Sequence, residues 1–143
     1  MSAEDYLTRY FQQLGKVLAA IMGFRENSKY QQAIDEINQV LDTWFDLPEN
    51  KISQLNAVAF FDEVMKLHHS EFEKIRSIAE LLYQKSITNL EMKNKGEAIL
   101  NAQKALLLFR EFDRTSGAYS IEIQQRIAEL DQMISGQNGF QNN

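Results

Sequence analysis

Residues 91–113 read EMKNKGEAILNAQKALLLFREFD, and the spacing of small and large side chains in this stretch decides the fold. Ala98, Ala102 and Ala105 fall along one stripe, and Leu106, Phe109 and Phe112 continue it at three-residue steps. Apolar positions that recur every three or four residues describe a helix, not a strand. Asn94 and Glu97 stand at capping distance at its start. A run of alanines on a helix has a packing reason: a neighbouring helix can approach closely, and larger side chains would overfill the contact.

Working outward, the same helical period recurs along the chain, and nowhere do apolar and polar residues alternate long enough for a strand. A first helix is expected over residues 3–22, capped by Ser2 and Asp5, with Leu7, Phe11, Leu14, Leu18 and Ile21 on one face and Gly23 as its stop. Gly15 inside it costs about 1 kcal/mol relative to alanine, which suggests that another helix passes close there. A second helix, 28–45, would open on a Ser28–Gln31 cap and end on Trp44 and Phe45, at least one of which should plug the core.

Pro48 suits the first turn of a short helix, and Asn56 can cap another over 57–67. The longest helix is expected over 70–93 behind a Ser70–Glu73 capping box, followed by the opening stretch and a last helix through Ile123, Ile127, Leu130 and Ile134. The spacing thus predicts an all-α chain of about seven helices, two of them short. Brief connections make the long consecutive helices antiparallel hairpins. Residues 1–135 form one domain, 70–134 being a hairpin with a capping helix, and 136–143 a disordered tail without apolar period.

The 143 residues suffice for one domain with a real core. Twenty acids against 15 Lys and Arg give a net charge of −5, and no basic run is hidden within it. That balance argues against a nucleic-acid partner, whose phosphates call for clustered basic side chains. With no cysteine there is no disulfide, thiolate zinc site or cysteine nucleophile. Glu4 and Asp5 stand where a signal peptide needs positive charge, and no run reaches the roughly 18 apolar residues of a membrane span. A cytoplasmic protein off the membrane is the expectation.

Residues 30–45 align loosely with 95–110: Ala33-Ile34 on Ala98-Ile99, Val40-Leu41 on Ala105-Leu106, Trp44 on Phe109. The offset of 65 residues is close to two periods of about 34. Residues 79–112 accordingly resemble one tetratricopeptide repeat, Ala98 and Ala105 filling the small positions of its second helix. They depart from it at Ser86, Asn89 and Arg110, where a small residue, an aromatic and a proline are usual. Over residues 3–134 the chain is also similar to an uncharacterised family of short bacterial helical proteins, through EDYLTRYFQQLGKVLAAIM and LDTWF. That resemblance implies the fold and no activity.

Candidate sites are few. His68 and His69 with Glu73 could suggest a metal, but Glu73 belongs to the expected cap, and adjacent helical side chains diverge by about 100°. Neither a glycine-rich phosphate loop nor a recognisable nucleophile context is present, so no catalytic, metal or cofactor residue is singled out. The tetratricopeptide resemblance places groove-facing positions at Glu80, Tyr83, Ile87, Leu90 and Glu91. An apolar stripe bordered by acids suits an amphipathic peptide with basic flanks, unless the first and last helices of the chain fill the groove. Three readings stay open: a protein-interaction adaptor or scaffold, a homo-oligomeric structural protein such as a homodimer, and an enzyme or small-molecule binder with a site between helices.

Overall fold

Seven helices follow one another in residues 3–141, the part of the chain that the computed structural model describes: α1 (Ala3–Glu26), α2 (Tyr30–Phe45), α3 (Glu49–Ile52), α4 (Ala57–His68), α5 (Phe72–Glu91), α6 (Lys95–Ser116) and α7 (Ile121–Gln141). No strand occurs among the described residues, and the all-α expectation is met. Ser2 and the side chain of Leu7 lie outside the described residues.

The punctuation explains most boundaries. Pro48 stands at the N-cap of α3, where its missing N–H leaves no orphan. The Asn56 side chain accepts the Ala59 N–H at 2.8 Å and starts α4. Three C-termini close on left-handed residues: Asp46 after α2, Lys93 after α5 and Gly117 after α6. Three expected side-chain caps fail, one of them at Asn94, which takes the N-cap of α6 but makes no side-chain bond there. Helix α1 runs past Gly23 to Glu26, and the chain turns instead on Ser28 at φ 58°, with the Lys29 N–H donating to Phe24 O at 2.7 Å. Ser28 is thereby spent on ending α1, and Lys29 takes the N-cap of α2 without a side-chain bond. Ser70 likewise caps nothing. Helix α5 starts at Phe72 behind Glu71, whose carboxylate is held by Lys74 at 2.7 Å. At the other end α7 continues beyond Ile134, through both glycines of the segment expected as a tail, to Gln141.

Cross-helix bonds give the directions. Arg76–Glu122, Glu80–Arg126 and Tyr83–Glu129 each join α5 to α7 with the same separation of 46 residues, so the two helices run parallel. Tyr10–Ser77 and Arg25–Glu91, separated by 67 and 66 residues, make α1 parallel to α5 as well. Helix α6 returns antiparallel between α5 and α7, while α2 packs on α1 and α5, and α4 on α5 and α6. Helix α5 is therefore the hub. Ala98, Ala102 and Ala105 are all fully buried, as packing residues should be.

Because α5 is covered on nearly every side, even its polar residues are inside. Gln84, Lys85, Ser86, Thr88 and Asn89 are buried. Three are satisfied against backbone, Thr88 Oγ1 donating to Gln84 O, Asn89 Nδ2 to Lys85 O and Ser86 Oγ to Ala98 O, while Gln84 Oε1 accepts from Arg25 Nη1 at 2.8 Å. Two buried lysines hold the short α3 by its ends. Lys85 Nζ meets Glu49 Oε2 in the first turn at 2.9 Å. Lys104 Nζ donates to Ile52 O in the last turn at 3.1 Å, and lies 5.1 Å over the Phe60 ring. A cation at the C-terminal carbonyls and an acid in the first turn both suit the helix dipole. Burial, and then the neighbouring Lys85, hold the Lys104 ammonium below its usual pKa.

Candidate functional site

Helices α1 and α7 stand on either side of α5 without closing over it. Between them lies a cleft of about 260 Å³. Its α1 wall is apolar, made of Phe11, Leu14, Leu18 and Met22. Glu73, Arg76, Ser77, Glu80 and Gln84 of α5 form the floor, and Glu122 and Arg126 of α7 the far wall. A second, shallower cleft continues from Met22 to Arg25, Glu26 and Glu91.

The apolar wall follows from how α1 seats itself. Tyr10, Leu14, Val17, Ile21 and Phe24, at alternating steps of four and three, face the core. This rotates the face expected from sequence: Phe11 moves out of the core and into the groove. Phe11 and Met22 are each 44% exposed, although both are large and apolar. Gly15 is not approached by another helix. A Cβ built there would meet nothing within 4 Å.

The α7 wall is held by a polar network. Arg126 donates to Glu80 at 2.8 Å and lies 4.1 Å over the Tyr83 ring, while the Tyr83 hydroxyl donates to Glu129. Burial, then the bond to the Glu129 carboxylate, pushes the Tyr83 hydroxyl up to about 12, with Arg126 opposing. The folded state therefore keeps the Tyr83 proton in a range where the unfolded chain, at 10.0, has lost it. That contribution is complete below pH 10 and is lost as pH rises towards 12. Urea unfolding at about pH 9 and about pH 11.5 should show an alkaline loss of stability that is smaller in Tyr83→Phe.

Of the positions expected to face a groove, Glu80 lines this one, but its carboxylate is bound to Arg126. Tyr83 is buried under α7. Ile87 is half-buried against the core, and Leu90 is half-buried. Glu91 is exposed and pairs with Arg25 of α1 at 2.6 Å. The chain's own first and last helices thus occupy most of that face of α5, and the open part lies against α1. The α1 residues were missed; their signal was an apolar arc too wide for one core contact, since Phe11, Leu18 and Met22 lie beside the buried set.

The other candidates resolve into structure. Phe45 plugs the core, and Trp44 is half-buried 6.1 Å from the Tyr10 ring. His68 is buried, its Nε2 donating to Phe45 O at 2.8 Å, while His69 is exposed. Among the described residues no three His, Cys, Asp or Glu side chains gather as metal ligands, and no helix is long and apolar enough to cross a membrane. The class defined here is an all-α protein of packed helical hairpins, with an apolar-walled groove among the described residues. No family model, curated protein or solved structure matches the chain.

Proposed function

We propose that this protein is a protein-interaction adaptor that takes an amphipathic segment of a partner into the groove between α1 and α7. One observation carries the reading: Phe11 and Met22 stay 44% exposed along an open cleft, in a fold that buries even the polar face of its central helix. Large apolar side chains lining a concavity mark a binding surface more often than single exposed ones scattered elsewhere. The volume favours side chains of a partner over an enclosed ligand, since 260 Å³ lies just under the roughly 300–1,000 Å³ of small-molecule pockets. A tetratricopeptide-like arrangement belongs to the same reading. It is supported by the parallel run of α1, α5 and α7 and by the fully buried alanines of α6.

Capture from a cell lysate with the native chain and with Phe11→Asp/Met22→Asp tests the reading. Both side chains are close to half exposed and neither belongs to the buried core, so the variant is expected to keep its helical circular dichroism and to melt within a few degrees of the native chain. A protein retained by the native chain and lost, by roughly 100-fold, with the variant is the expected result. Recovery of the chain alone would make the groove a self-interface and turn the reading to a homo-oligomer. Equal recovery with both chains would take the groove out of the function.

A further inference from the structure

Charge along the groove is unevenly closed. Each arginine beside it already has a carboxylate: Arg76 has Glu122 at 3.4 Å, Arg126 has Glu80 at 2.8 Å and Arg25 has Glu91 at 2.6 Å. Two acids remain without an ion partner among the described residues, and they stand at opposite ends. Glu73 lies on the floor near Phe11, and Glu26 lies at the far end beside Met22. The parallel register of α1 and α5, a separation of 67 residues at Tyr10–Ser77, sets Glu73 level with position 6 of the chain, the fourth residue of α1. From there to Glu26 is about 30 Å at 1.5 Å per residue. The apolar wall, Phe11 to Met22, fills the middle with about three turns. Gly15 sits on that same arc of α1 with open space in front of it, a notch against which a second backbone can lie close.

We infer that the occupant of the groove is a helix of about five turns, apolar over its middle three and carrying a lysine or arginine in its first and last turns. This rests on the adaptor reading and specifies it. The apolar face packs on Phe11, Leu18 and Met22 across the Gly15 notch. The two basic ends meet Glu73 and Glu26. Neutralising the pair of free acids fixes the length and placement of the bound helix, as rim charges at interfaces do. Because both acids are reached by solvent, each contributes modestly and is weakened by salt.

The probes are three synthetic helical peptides of about 20 residues with the same central leucine face and with lysine, glutamine or glutamate in both end turns. Binding to the full chain is read by fluorescence anisotropy. The lysine peptide is expected to bind about 10-fold more tightly than the glutamine peptide, and the glutamate peptide more weakly still. Glu73→Gln/Glu26→Gln should erase the preference between lysine and glutamine ends, and high salt should compress it. Gly15→Gln, which fills open space and removes a helical glycine, should keep the fold and weaken all three peptides.

If all three peptides bind equally and Gly15→Gln still blocks them, the basic-ended occupant is wrong while the groove remains a docking site. If none binds, the inference falls, and the adaptor reading stands or falls on the Phe11-dependent capture. Sedimentation showing dimers that dissociate in Phe11→Asp would overturn the inference in favour of a second copy of the chain.

Discussion

Phe60→Ala is expected to lower the unfolding free energy by about 3–5 kcal/mol, the range for emptying a buried aromatic site. Phe60 is fully buried in α4, where that helix meets α6. Its ring also carries the Lys104 ammonium at 5.1 Å. Truncation therefore removes packing and a cation–π contact together, in a place where the lysine cannot reach water instead. Phe60→Leu keeps most of the volume and should lose less, about 1–2 kcal/mol. Guanidinium unfolding followed by circular dichroism gives both values, provided the denaturant slope is unchanged. A loss below about 1 kcal/mol for the alanine variant would mean that α4 is not packed as described.

The second large effect lies at the other lysine. Glu49→Ala should destabilise by about 3 kcal/mol, the bottom of the range for breaking a buried pair. The low end applies because Glu49 keeps 43% of its side chain exposed, against 7% for Lys85. Without Glu49 the Lys85 ammonium stays buried beside Lys104, whose own pKa is already held down by burial and by Lys85. The double variant Glu49→Ala/Lys85→Met should recover much of the loss, because an apolar side chain of similar volume leaves no charge to compensate. Were the single and double variants equally unstable, the loss would belong to α3 and not to the stranded charge.

Much of the helical frame was legible because it rests on local rules. The alanine stripe of α6, the Asn56 cap and Pro48 before α3 each depend on a few neighbouring residues. Ser28 misled for the opposite reason: a capping spacing says what a residue could do, not whether a preceding helix needs it for its own end. Helix α5 hid the site. Gln84, Lys85, Ser86, Thr88 and Asn89 are polar, yet backbone bonds, a carboxylate and the Arg25 guanidinium let them lie inside. With that face buried, the apolar wall of the groove had to come from another helix. It came from α1, where Phe11 and Met22 look like core residues until the seat of the helix is known.

The hub position of α5 also sets a timetable. Helices α1 to α4 leave the ribosome before it, with Ile34, Ile37, Leu41 and Phe45 of α2 already made and only α1 to close on. The nascent amino-terminal half thus carries uncovered apolar surface until Glu91 has emerged, and α4 waits longer, for α6. The apolar face of α2 is therefore least covered during synthesis, before the helix it closes on exists.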